Sequence, residues 1–304
     1  MQVNRLVTAF LALLMPVALA ACGQAIAAPT PGPAAAPHQP YPVGVRTLTF
    51  GRGIARPLPT IAWYPAASGA VGAAPRRDAA LADGRFPIVL YSHGLHSMPA
   101  HHAAITTRWA AAGFVVVAPA YPYTNLRTAR FDRADVRNQP ADGWHVLTQV
   151  SRLDRVAGDP FAGHLDTTRL GAAGHSAGGF TTAGLFTPGH DARLRGGIVI
   201  AGGMRDTFGG PPAAMLFVHG GADPTVLPST GRSAYDRVPW PKAFLTVTGQ
   251  RHGEYMGPGH PGFDQFMGTA TDFLRWALYG DPQARRRIPA DARRGGVTQW
   301  TGRI

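Results

Sequence analysis

Apolar positions in this chain fall into short unbroken runs that alternate with stretches of helical spacing. Phe86–Ser92, Phe114–Ala118, Arg169–Ala173, Gly197–Ala201, Ala214–His219 and Ala243–Thr248 are runs of strand length and little polarity. Such runs mark strands covered on both faces, as in a parallel sheet. Val43–Phe50 and Thr60–Tyr64 alternate instead and predict an opening pair of strands. Between the runs, Pro99–Ala112 carries apolar groups at helical spacing and Gly113 supplies a stop. Asp142 reads as the N-cap of a helix reaching Ala157, with Val146, Leu147, Val150 and Leu153 on one face. Phe263–Tyr279 predicts a closing amphipathic helix whose apolar side is Phe266, Ala270, Phe273, Leu274 and Leu278. The alternation calls for an α/β fold: a mostly parallel central sheet of about eight strands with helices on both faces. In open sheets of this kind ligands bind beyond the carboxyl ends of the strands.

The N-terminus obeys a different pattern. Arg5 precedes a short apolar stretch, Leu6 to Leu19, that has the build of a signal peptide. Leu19-Ala20-Ala21-Cys22-Gly23 resembles the lipobox of bacterial lipoproteins, in which the cysteine becomes the lipid-modified first residue. Cys22 is the only cysteine in the chain, so the fold must manage without disulfides. The competing expectation is plain secretion, with cleavage after Ala25-Ile26-Ala27. On either, the protein is exported. Residues 23–42 form a Pro/Ala-rich linker, since repeated prolines hold the chain extended and no apolar period is present. The expected organisation is therefore 1–22 signal peptide with lipobox, 23–42 linker, and 43–304 a single domain.

Composition changes this picture little. The formal charge of +12 suits an anionic partner. The basic residues are scattered, however, apart from Arg285-Arg286-Arg287 and Arg293-Arg294, so nucleic acid is not an expected partner.

The chemistry gathers around Gly174-His175-Ser176-Ala177-Gly178, a G-x-S-x-G pattern lying between a strand and a small-residue helix start. On a strand-to-helix turn it exposes a serine hydroxyl. In a chain with 38 glycines the pattern also arises as a plain Gly/Ser loop. What weighs against that is the order of two later residues. Asp223 lies in the glycine-rich loop after Ala214–His219, where the alternative is an Asx turn before Pro224. His252 lies in the loop after Ala243–Thr248, where the alternative is an ordinary surface histidine. Ser176, Asp223 and His252 thus follow one another in the order nucleophile, acid, base. A serine is a poor nucleophile until a base takes its proton, and the base needs a carboxylate to fix its tautomer. Backbone N–H groups must stabilise the developing oxyanion. The expected donors are Ala177, directly after the nucleophile, and Leu95, after His93-Gly94.

Other candidates are weaker. Asp206 is the rival acid. His93, His96, His101 and His102 invite a metal reading, but no carboxylate accompanies them at ligand spacing and no metal is expected. His175 reads as the variable residue of the turn. Tyr121, Tyr123 and Trp144 border the cleft or belong to the core.

Tyr91-Ser92-His93-Gly94, Gly174-His175-Ser176-Ala177-Gly178, His219-Gly220-Gly221-Ala222-Asp223 and Arg251-His252 together resemble the α/β-hydrolase superfamily. Within it they are most similar to dienelactone hydrolase-like, bacterial cutinase-like and platelet-activating-factor-acetylhydrolase-like esterases, over roughly residues 43–279. The chain departs from dienelactone hydrolases in carrying serine where they carry a cysteine nucleophile, and from many bacterial cutinases in lacking a disulfide. The resemblance implies an α/β-hydrolase fold and a serine esterase without cofactor that acts on small-molecule or polymeric carboxylic esters. Related expectations with the same triad are a lipase, a polyesterase or a thioesterase. From another class comes a catalytically idle hydrolase fold serving as an envelope binding protein.

Overall fold

The computed structural model describes Gln2 and residues 35–304; the expected signal peptide and the lipobox cysteine Cys22 lie outside the described residues. The chain is mixed α/β, built on a ten-stranded sheet. Six strands form its parallel centre: β4 (Phe86–Ser92), β5 (Val115–Pro119), β6 (Leu165–His175), β7 (Leu194–Ile200), β8 (Ala214–Gly220) and β9 (Lys242–Val247). They lie side by side in the order β9-β8-β7-β6-β4-β5. β1 (Val43–Gly51) and β2 (Pro57–Pro65) form an antiparallel pair, and β2 continues antiparallel onto β5. β4 runs on toward β5, while β6 runs on toward β7 in the opposite direction. The point between β4 and β6 is therefore a topological switch, where the loops leaving two neighbouring strands part and open a crevice.

Alternation along the buried strands splits the core in two. Ile88 and Leu90 of β4 face one side, with Val146, Leu147 and Val150 of α2 (Gln139–Leu153). Val89 and Tyr91 face the other, with Ile105 and Trp109 of α1 (Ala103–Ala111) and Phe266 and Phe273 of α5 (Phe263–Leu274). Each such side chain removed from water contributes about 1.5–3 kcal/mol. α3 (Ala177–Gly184) and α4 (Pro228–Asp236) complete the helices that follow β6 and β8.

Three expectations are corrected. The sheet has ten strands rather than about eight, because β3 (Arg76–Arg77) adds to β1 and β10 (Thr298–Arg303) adds antiparallel to β9. The chain does not close at Tyr279. After a wide helical turn at Arg275–Tyr279 comes α6 (Pro282–Arg293), N-capped by the Asp281 carboxylate at 2.8 Å from Gln283 N and 3.1 Å from Ala284 N. Only Ala284, Ile288 and Ala292 of this arginine-rich helix are buried, a stripe too narrow to signal itself by hydropathy. Asp142 is not an N-cap. α2 starts three residues earlier, with proline in its first turn, and Asp142 lies inside it, fully buried. Its carboxylate accepts from Arg52 Nε at 2.8 Å and from Arg56 Nε at 2.9 Å, while Arg56 Nη1 also reaches Asp135 at 2.8 Å. The capping residue type was right for a helix start, but a buried ion network took its carboxylate instead.

Pro37 and Tyr41, within the expected linker, are hydrogen-bonded to later parts of the chain. Tyr41 N donates to Ala111 O at 2.8 Å, and Arg275 Nη2 donates to Pro37 O at 3.2 Å. No helix among the described residues is long and apolar enough to cross a membrane.

Candidate active site

β6 ends at His175 and α3 begins at Ala177, which leaves Ser176 alone on the turn at φ 57°, ψ −119°. A non-glycine residue there stores about 1–3 kcal/mol of backbone strain, which the surrounding structure must hold. It does so through hydrogen bonds on both sides: Ser176 N donates to Ile200 O at 2.9 Å, and Ser176 O accepts from Gly179 N at 2.8 Å. Two glycines make the turn sterically possible. A Cβ on Gly174 would collide with the backbone of Gly178, and one on Gly178 with the carbonyl of Ser92. Strand β4, strand β6 and helix α3 thus meet backbone to backbone directly under the serine.

The structure brings Ser176, Asp223 and His252 together across three loops. His252 Nε2 lies 2.8 Å from Ser176 Oγ, and His252 Nδ1 lies 2.7 Å from Asp223 Oδ2. With Nδ1–H donating to the carboxylate, Nε2 is left to accept the serine hydroxyl proton. Asp223 is buried, and its other oxygen accepts from Thr225 N at 2.8 Å and Val226 N at 3.1 Å. One oxygen thus closes an Asx turn while the other pairs with His252. Burial alone would raise the Asp223 pKa. The hydrogen bonds from His252, Val226 and Thr225 outweigh it and hold the carboxyl below its ordinary value. Asp206 is exposed, and its backbone carbonyl accepts from Arg237 Nη1 at 3.0 Å.

Ala177 and Leu95 flank Ser176, and both line a lobe of the cleft of about 250 Å³. Neither N–H donates to a backbone carbonyl among the described residues. For Ala177 this follows from its place at a helix start, where the first N–H groups have no intrahelical partner. Leu95 is set by Gly94, which packs so close that a Cβ there would lie 3.3 Å from Ser176 Cβ. A second lobe of about 470 Å³, also lined by Leu95, Ser176 and His252, is bordered by His101, Ile105 and Met256. Arg133 and Arg205 stand at the edge of the smaller lobe.

Of the four clustered histidines, His101 and His102 share a partner, Ser97 Oγ, at 3.4 and 3.2 Å, while His93 and His96 face other groups. His93 is buried, donating from Nδ1 to Gly94 O at 2.7 Å and accepting at Nε2 from Tyr121 N at 3.1 Å. Burial lowers its pKa to about 4. It ties the end of β4 to the end of β5, behind Leu95. His102 pairs with the Tyr91 hydroxyl at 3.0 Å, His101 lies 3.4 Å from Ser97 Oγ, and His96 stacks on Phe131. Tyr121 is core, bonded to Ser92 Oγ at 2.8 Å. Tyr123 donates to Ala55 O at 2.8 Å, and Trp144 borders a separate depression beside α3.

Two histidines matter more than the sequence suggested. His175 is not a bystander of the turn: its Nε2–H donates to the backbone carbonyl of His252 at 2.8 Å. His219 donates to Val226 O at 2.8 Å and lies 3.4 Å from Asp223. The first pairing spans 77 positions and leaves no local signal; the second has a weak one, since His219 precedes Asp223 by four residues at a strand end. No protein-family model and no curated protein matches this chain.

Proposed function

We propose that the protein is a serine hydrolase of carboxylic esters with an α/β-hydrolase fold. The observation that carries this is the unbroken hydrogen-bonded chain from Ser176 Oγ through His252 to Asp223. As an ester carbonyl meets Ser176 Oγ, His252 Nε2 takes the hydroxyl proton and the new C–O bond forms a tetrahedral oxyanion. The N–H groups of Leu95 and Ala177 stabilise that charge, each by about 3–4 kcal/mol. Collapse breaks the bond to the alcohol, which receives the proton from His252, leaving Ser176 acylated. Water, deprotonated by His252, then attacks the acyl carbon; the acid departs and the proton returns to Ser176. Asp223 keeps its charge throughout and stabilises the imidazolium. The nucleophile, base, acid and oxyanion donors of this cycle are all residues of the chain. The open two-lobed cleft suits short acyl chains or accessible polymer esters.

The N-terminal Leu19-Ala20-Ala21-Cys22-Gly23 extends the proposal to an exported enzyme, anchored through a lipid on Cys22. Cys22→Ser is expected to move it from the membrane fraction to the soluble fraction; unchanged fractionation would reject the anchor.

The activity is tested with p-nitrophenyl esters of increasing acyl length on the purified domain. Turnover that disappears in Ser176→Ala supports the assignment, and equal rates in both proteins reject it in favour of an idle fold.

A further inference from the structure

We propose that His175 is a positioning residue that holds His252 in reach of Ser176 by gripping its backbone carbonyl. This rests on Ser176 and His252 acting as nucleophile and base. The ring of His252 is held by Asp223, but a ring held at one end still pivots with its own backbone. The loop that carries it is pinned upstream by Ala222 N donating to Gln250 O at 2.9 Å, and downstream by Gly253 N turning back onto Arg251 O at 2.9 Å. The carbonyl of His252 itself is gripped by His175 Nε2 at 2.8 Å.

The identity of the donor matters because His175 is covalently adjacent to Ser176. Three links close a circuit: the peptide bond from His175 to Ser176, the hydrogen bond from Ser176 Oγ to His252 Nε2, and the hydrogen bond from His252 O back to His175. A displacement of the base away from the nucleophile is therefore resisted by both hydrogen bonds. The ring is also confined. A Cβ on Gly253 would come within 3.0 Å of its Nε2 and one on Gly94 within 3.4 Å of its Nδ1, so both glycine loops close on it. The His252 ring lies 4.8 Å away and that of His102 6.0 Å. Asp223 and His219 are the other titratable groups that bear on it. Burial, then the proximity of His252, lowers the His175 pKa to about 4. The side chain therefore stays a neutral N–H donor while His252 cycles through its charged form, and adds no second positive charge beside it.

The test compares His175→Phe, which keeps an aromatic ring and removes the donor, with His175→Gln, which restores an N–H at similar reach. For p-nitrophenyl acetate, His175→Phe is expected to lower kcat by about 10- to 100-fold, the scale of a small misplacement of a reacting group. KM should stay within about threefold, because ground-state binding is not what is lost. His175→Gln should recover most of kcat at an equal or lower melting temperature. A His175→Phe variant with undiminished kcat would overturn the proposal. So would two variants that lose kcat alike and in step with their melting temperatures, the behaviour of a packing residue. A readout that needs no turnover separates this from the activity itself: the downfield proton resonance of His252 Nδ1–H shared with Asp223. It is expected sharp in the parent and His175→Gln and broadened in His175→Phe; identical spectra in all three would reject the positioning role even if Ser176→Ala showed no hydrolysis to lose.

Discussion

Asp223 Oδ2 lies 2.7 Å from His252 Nδ1, and the carboxylate is otherwise sealed from solvent by the backbone N–H groups of Thr225 and Val226. A carboxylate so placed fixes which nitrogen of His252 carries the proton. Asp223→Asn keeps the shape but offers His252 an N–H donor as readily as an acceptor, which favours the wrong tautomer. kcat is expected to fall by about 10³–10⁴-fold, as in serine proteases altered at the same role. Asp206→Asn should leave it unchanged. Steady-state kinetics of the two variants decide between the acids, and a larger loss at Asp206 would reverse the assignment.

Gly178 packs against the Ser92 carbonyl where β4 meets α3. Gly178→Ala must push strand and helix apart and is expected to destabilise the fold by about 2–3 kcal/mol or more, the scale of an overpacked core. Ser176 loses its geometry with it. Gly51→Ala is the comparison, because a Cβ there meets nothing closer than 3.5 Å. Urea melts of both read the difference; equal midpoints would refute the tight junction.

Arg56 holds two buried carboxylates, Asp135 and Asp142, and its hydrogen bonds to Asp142 and then Asp135 keep the guanidinium charged far beyond any working pH. Without Arg56, buried Asp135 keeps only the neutral Asn138 amide and Asp142 only the more exposed Arg52. Arg56→Met is expected to cost about 3–5 kcal/mol, the usual penalty for a buried pair that has lost one member. A loss under about 1 kcal/mol would mean that the pair is screened like a surface bridge.

His93 and His175 both have pKa values lowered to about 4, by burial before any other cause. In the unfolded chain each titrates near 6.5, so between pH 6.5 and 4 the unfolded state binds more protons than the native one. Their contribution to stability is therefore complete above about 6.5 and is lost as the pH falls toward 4. Each accounts for roughly 3 kcal/mol across that window. Thermal melts should drop steeply between pH 6.5 and 4, and His93→Asn should flatten the slope; a melting temperature constant over that range would contradict the burial argument.

Strand runs such as Phe86–Ser92 and Ala214–His219 were legible in the sequence because a strand covered on both faces has no polar position to interrupt it. The glycines around Ser176 were legible for a similar reason: backbone that touches backbone tolerates no Cβ, and that demand is written residue by residue. Elements at the margin were not. α6 buries a single narrow stripe and β10 is a polar edge strand, so neither carries a hydropathy signal, although the second completes the sheet beside β9. Asp142 had the right chemistry for a cap, yet Arg52 and Arg56, nearly ninety positions away, claimed its carboxylate. The sequence by itself determined the α/β class, the order of Ser176, Asp223 and His252, and their places at strand ends, because these depend on local periodicity and residue type. Only the tertiary structure decided that His252 reaches both Ser176 and Asp223, and that His175 donates to the carbonyl of His252. Those contacts are set by how the loops leaving β6, β8 and β9 converge beyond the carboxyl ends of the sheet, which no local pattern encodes.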